Sequence, residues 1–211
     1  MKKRLFLCLV SCSIALVGCA SSGTSTKLLV MGNSITSHGP DPSIGWYGSW
    51  GMAAASEGTD FSHITASALQ LPLTVQGLTI EYDPQGSLAQ INSLVNQVDA
   101  TTAVVLEFGD DVASDRVVAF GSAYDQLAGV LGKASVLVCV STWWVKPDVD
   151  QVILAACQAH HGQYVFIGDI YTDPANTDLQ TIQFWDPQVN AHPRQWGHAH
   201  IAARILSKFG K

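Results

Sequence analysis

Five short apolar runs, each followed by a longer amphipathic or polar stretch, limit the folds open to this chain more than any other feature. They are "KLLVMG" (27–32), "LTVQGLTI" (73–80), "TAVVLEFG" (102–109), "SVLVCVS" (135–141) and "QYVFIGD" (163–169). Three are nearly continuous apolar stretches of strand length, the pattern of parallel strands covered on both faces. The intervening segments read as helices. In "SLAQINSLVNQV" the apolar positions Leu88, Ile91, Leu94, Val95 and Val98 recur at spacings of three and four, with Ser87 placed to cap them. Residues 115–132 and 148–161 carry a similar stripe, as does the C-terminal "GHAHIAARILSKF" with Ile201, Ile205 and Phe209. Strand and helix in alternation predict a three-layer α/β/α domain around a central, mainly parallel five-stranded sheet. No internal repeat interrupts it.

Two loops exceed the length of a plain connection: residues 33–50, "NSITSHGPDPSIGWYGSW", and residues 170–196. Both follow predicted strands. Ligands of open α/β sheets bind beyond the carboxyl ends of the strands, and long loops in compact domains are usually functional. Leaving the same sheet edge, the two loops can meet.

The N-terminus reads as an address. "MKKR" is a basic n-region, "LFLCLVSCSIALV" an apolar h-region, and "LVGC" ends at Cys19. The h-region is shorter than the ~20 apolar residues of a membrane span. "LVGC" resembles the lipobox of bacterial lipoproteins. That resemblance implies a signal peptide over residues 1–18, lipid on Cys19, a polar tether over residues 19–26 and a folded domain over residues 27–211. Ala20 implies the outer membrane, if the cell has one. Losing Lys2, Lys3 and Arg4 would take the formal charge from −6 to −9. So acidic a chain lacks the electrostatic footprint for nucleic acid. Cys139 and Cys157 fall in a predicted strand and helix, and two cysteines make no framework; buried free thiols are expected.

The chemistry rests on Ser34, just past the first strand, and on His192, in the loop before the last helix. A serine nucleophile needs a general base within hydrogen-bond reach and donors for the oxyanion. Pro193 biases His192 toward extended backbone, so its imidazole can project from the loop.

These two ends resemble one family. "GNSIT" resembles the block around the nucleophile of the SGNH (GDSL) hydrolases, and "HPRQWGH" their closing "HPxxxGH" block. "LEFGDDV" stands where that family has its "GxND" block, and "GWYGSWGMAAAS" (45–56) resembles a segment of an exported bacterial subgroup. The resemblance implies an SGNH/flavodoxin-like fold and a serine esterase without metal or organic cofactor. Ser34 would attack an ester carbonyl and His192 would carry its proton. The backbone N–H of Ser34 would hold the oxyanion with a second-block glycine, Gly77 or Gly86. Asp111 occupies the family's asparagine position, where an ionised carboxylate can only accept. Three residues before His192, the family's triad acid is replaced by Val189. Asp186 is the candidate substitute, with Asp169, Asp173, Asp178 or a backbone carbonyl as alternatives.

His38, Trp46 and Trp143 fall in post-strand loops and are candidate substrate contacts. His198 and His200, two apart, do not share a helix face, so no metal site is expected. The substrate expected from setting and family is an ester-bearing polysaccharide, or a small ester, losing short acyl groups. The alternative is a catalytically weakened lipoprotein that binds glycan or a partner protein in an envelope assembly.

Overall fold

The computed structural model describes residues 24–211. The expected signal peptide, the lipidation expected at Cys19 and the first part of the expected tether lie outside the described residues. No described helix is long and apolar enough to cross a membrane. The end of the segment expected to be a tether lies against the domain: Thr26 N–H donates to the Thr101 carbonyl at 2.8 Å, and Ser25 Oγ meets Ser135 Oγ at 2.7 Å.

Five strands, β1 (Lys27–Gly32), β2 (Leu73–Gln76), β3 (Thr102–Glu107), β4 (Val136–Val140) and β5 (Gln163–Val165), form one sheet in the order β2-β1-β3-β4-β5. Every pairing is parallel. The pleat sorts the side chains into two cores. Leu29, Met31, Val104, Leu106, Leu137 and Cys139 face one side, whereas Leu28, Val30, Ala103, Val105, Val138 and Val140 face the other. Both faces are covered, which is why these strands read as unbroken apolar runs.

On the first face lie α2 (Leu88–Ser93), α3 (Val117–Leu131) and α4 (Pro147–Ala159), whose Ile91, Phe120, Leu127 and Ile153 are fully buried. On the second lie α1 (Phe61–Leu69) and α7 (Gln195–Ser207), meeting through Phe61, Ile201 and Ile205. Two short helices, α5 (Gly168–Tyr171) and α6 (Pro187–Ala191), lie within the last long connection.

The expected strand over 73–80 stops at Gln76, and the chain turns at 79–83. The expected strand over 163–169 ends at Val165 and becomes α5. Helix α1 was not expected. Asp60 starts it by accepting the His63 N–H at 2.8 Å, and buried His198 takes its first N–H, that of Phe61, at 3.3 Å. Those anchors come from the fold and not from apolar periodicity. The expectation of free thiols is also corrected: Cys139 of β4 and Cys157 of α4 form a buried disulfide. The outward pleat of β4 and the inward stripe of α4 bring the two together on the same face.

Candidate active site

Strand β1 must end on glycine. A Cβ at Gly32 would overlap Thr36 Oγ1 and the Glu107 carbonyl, so only glycine lets the chain turn back here. The turn is tight: the N–H groups of Thr36 and Ser37 both donate to the Asn33 carbonyl, at 2.9 and 2.7 Å. Ser34 sits at its apex, half-buried, and its carbonyl accepts from Met52 N–H at 2.9 Å. The Ser34 N–H has no acceptor among the described residues. It is therefore free to hold a developing negative charge.

The partner arrives from the other end of the chain. His192 follows α6 in extended backbone (φ −71°, ψ 161°), the conformation its following proline favours. Its Nε2 lies 2.8 Å from Ser34 Oγ. Its Nδ1 lies 2.7 Å from the Gln188 carbonyl. A carbonyl cannot donate, so Nδ1 carries the proton and Nε2 presents its lone pair to the serine hydroxyl. Trp144 stands edge-on to the imidazole, with centroids 5.0 Å apart. Burial lowers the His192 pKa to about 4, so the ring is neutral near pH 7. It is poised to accept a proton.

Asp186 does not orient that ring. It is the N-cap of α6, accepting from the Gln188 N–H at 2.7 Å, with Pro187 at the first helical position. It acts one step away, by starting the turn whose carbonyl holds Nδ1. The other acids are engaged elsewhere. Asp169 pairs with Arg204, Asp173 caps the turn at 174–176, and Asp178 binds Thr181 and lies 3.6 Å from Arg194. A backbone carbonyl has the place of the triad carboxylate.

Asp111 lines the same cleft as Ser34 and His192. Its carboxylate accepts from the Tyr82 hydroxyl, so it meets the cleft as an acceptor. Gly77 packs near the Gly32 carbonyl and the Asn33 side chain but is not among the cleft-lining residues. Gly86 has its N–H committed to Asp83 in a turn. His38 lines the cleft, whereas Trp46 and Trp143 do not. Both indoles are buried: Trp46 donates to the His38 carbonyl at 3.0 Å, and Trp143 to the Ala191 carbonyl at 3.0 Å. They fix the loops that carry His38 and His192. The aromatic that reaches the cleft after β4 is Trp144.

Beneath the serine lies a group of acids that sequence patterns did not single out. Glu107 ends β3 almost fully buried and accepts from Thr36 Oγ1 at 3.0 Å. Asp110 accepts from the N–H groups of Trp143 and Trp144, at 2.8 and 3.2 Å, and so ties the loops after β3 and β4 together. Its other oxygen has no hydrogen-bond partner among the described residues. Burial and the neighbouring Asp110 charge hold the Glu107 carboxyl well above the ordinary carboxylate range. Burial also raises Asp110 to about 6 and Glu81 to about 8. The signal for Glu107 was a lone acid closing an apolar strand in "VVLEFG". Nothing local marks Glu81.

The cleft encloses about 780 Å³ and opens at the carboxyl edge of the sheet. Lys146 is its cation, with Nζ donating to the Asp110 and Val112 carbonyls. Among the described residues no group of three His, Cys, Asp or Glu side chains is arranged to hold a metal ion.

This parallel sheet, with a serine after its first strand and a histidine before its last helix, has the fold of the lipolytic G-D-S-L (SGNH) proteins. Two solved structures illustrate it. A member of the lipolytic G-D-S-L family from Veillonella parvula superposes with a TM-score of 0.56 at 14% identity, over 89% of this chain and all of that one. The psychrotrophic esterase EstA from a Pseudoalteromonas species, solved inhibited by monoethylphosphonate, gives 0.57 at 12% identity, over 88% of this chain and 97% of that one. No family model and no curated protein matches the sequence.

Proposed function

We propose that the protein is a serine esterase that removes short acyl groups, O-acetyl groups above all, from an envelope or extracellular polysaccharide. The observation that carries the reading is the 2.8 Å contact between Ser34 Oγ and a neutral His192 in an open cleft. Ser34 Oγ adds to the ester carbonyl as its proton passes to His192 Nε2, and the Ser34 N–H receives the oxyanion. The imidazolium then protonates the departing alcohol, leaving an acyl-serine. Water, deprotonated by the same nitrogen, releases the carboxylic acid and restores the serine. The resulting imidazolium is stabilised by the Gln188 carbonyl and, at longer range, by the charges of Asp111 and Asp186.

Glycan is favoured over long acyl chains by a wide cleft lined with His38, Lys146, Asp111 and Trp144. A lipid anchor at Cys19 would put the enzyme beside such a polymer. One observation favours a second reading, a weakened relative that binds glycan without turnover. Asp111 offers an acceptor where charge would develop, beside a His192 that no carboxylate among the described residues hydrogen-bonds.

The test is acetate release from an aryl acetate and from acetylated glycans by the protein from Thr24 onward, beside Ser34→Ala. Serine-dependent release, with stoichiometric labelling of Ser34 by a phosphonate, is the result expected of the esterase. Equal background rates from both folded proteins, with retained glycan binding, would establish the second reading.

A further inference from the structure

The residue that joins the two halves of the site is one that the reaction does not touch. Glu81 lies within the turn at 79–83 that follows β2 and is 1% exposed. One carboxyl oxygen is hydrogen-bonded by the side chain of Asn33, the residue before Ser34. The other accepts the N–H of Gly109 and, at 3.3 Å, that of Asp111. All three partners flank the reacting centre, in the turns after β1 and β3. Neither turn is bound to the other in this way by the sheet, because the pairing of β1 with β3 stops at Gly32 and Glu107.

We propose that Glu81 is a positioning residue: its buried carboxyl group clamps the Asn33–Ser34 turn to the Gly109–Asp111 turn and so fixes the Ser34 N–H and the Asp111 side chain around the ester carbonyl. This inference rests on the esterase reading. Gly109 shows why a clamp is needed. Its φ of +129° lies in backbone space that side chains rarely adopt, and a turn built on it has little stiffness of its own. With Glu81 removed, three donors would lose their acceptor in a buried place, which the turns could relieve only by moving.

The clamp also ties the site to pH. The groups facing Glu81 are acidic from nearly every side. Tyr82 adjoins it, Glu107, Asp110 and Asp111 come from β3 and its turn, and the line of the cleft beyond holds His192 and Lys146. Lys146 is the nearby cation, and its ammonium is spent on carbonyls. Burial first, then the Asp110 and Asp111 charges, raise Glu81 to about 8. Below that pH the acid form retains all three contacts, donating to Asn33 Oδ1 once that amide turns over and accepting from Gly109 and Asp111. Above it, a buried negative charge stands behind the nascent oxyanion and disfavours it.

Glu81→Gln and Glu81→Ala, each compared with the parent and with Ser34→Ala, test this. Glutamine can repeat the three contacts without the charge. E81A is expected to lose about 100-fold in kcat with little change in KM, the scale of a displaced reacting group. E81Q is expected to restore turnover to within about threefold of the parent near pH 6.5, and to abolish the parent's decline above pH 8. The Gly109 amide signal in an NMR titration should move with a midpoint near 8 in the parent and stay still in E81Q. An E81A kcat within threefold of the parent, or an E81Q profile that keeps the alkaline decline, overturns the proposal. If E81A does not fold, the E81Q profile and the Gly109 titration still decide it. A parent without serine-dependent turnover, but with the Gly109 titration intact, overturns the esterase reading and leaves the clamp standing as structure.

Discussion

Asp111→Asn is the most informative single change, because one substitution should move two observables for separate reasons. Asp111 shares the cleft with Ser34 and accepts from the Tyr82 hydroxyl. In the asparagine variant the amide oxygen can keep the tyrosine, leaving the amide nitrogen as a donor toward the cleft. Adding one oxyanion donor corresponds to about 2.7–4 kcal/mol, or 10²–10³ in kcat, in the best-studied serine hydrolases. Removing a charge from a partly solvated position adds to that. A gain of about 10²-fold near neutral pH is therefore the central expectation. The second observable runs through His192. The Asp111 charge raises the His192 pKa against the larger lowering effect of burial. Its removal lets that pKa fall below about 4, so the acid limb of kcat/KM should shift to lower pH. The assay is kcat/KM for an aryl acetate from pH 3.5 to 9, with unfolding followed in parallel so that loss of structure is not read as titration. Unchanged turnover together with an unmoved acid limb would refute the reasoning, by showing that Asp111 does not address the reacting centre.

Three further outcomes follow from the geometry. Asp186→Asn keeps a capping oxygen for the Gln188 N–H, so activity should stay within about threefold and stability within ~0.5 kcal/mol, whereas loss of a true triad acid lowers kcat about 10⁴-fold. Asp186→Ala should lower stability by about 1 kcal/mol, measured by urea denaturation. Reducing the Cys139–Cys157 disulfide, or replacing both cysteines by serine, opens a loop of 18 residues. That should lower unfolding stability by about 3 kcal/mol by calorimetry or denaturant, with little effect on aryl-acetate turnover. Stability should also fall on both sides of mild acidity. His192 and His198 are held neutral with pKa values near 4, below the unfolded value of about 6.5, so the unfolded chain takes up protons first and stability is lost as pH falls through that window. Glu81 at about 8 and the raised Glu107 act oppositely: the folded state holds their protons longer, and stability is lost as pH rises toward 8. E81Q should remove one proton's share of the alkaline slope, about 1.4 kcal/mol per pH unit. A denaturation midpoint that is flat from pH 4 to 9 would contradict both.

The architecture was readable because its causes are local. A strand covered on both faces must be apolar at every position, and the helices over it must carry a stripe, so β1, β3, β4, α3, α4 and α7 all announce themselves. Ser34 and His192 were readable because glycine and proline punctuate the chain beside them. What was hidden depends on contacts across the fold. Helix α1 begins on a cap and on a histidine 137 positions away. The support for His192 is a main-chain carbonyl, which no residue type marks. Trp143 and Trp144 are neighbours in sequence, and only the turn after β4 decides that the first is buried and the second meets the cleft. Glu81 gave no signal because its partners come from two other turns. The disulfide was missed for a similar reason: it depends on which way β4 and α4 face.

The hydrogen bond between Ser34 and His192 joins positions 158 apart, one after the first strand and one before the last helix. The intended chemistry is therefore a property of the finished chain and of no fragment. On the esterase reading, a polypeptide halted during synthesis, or trimmed by a protease ahead of the final helix, keeps its serine but is silent toward esters. In a refolding experiment, recovery of turnover would mark the moment when the two ends meet, later than any signal from the central strands. On the proposed reading of an exported esterase, this arrangement would postpone activity until export is complete.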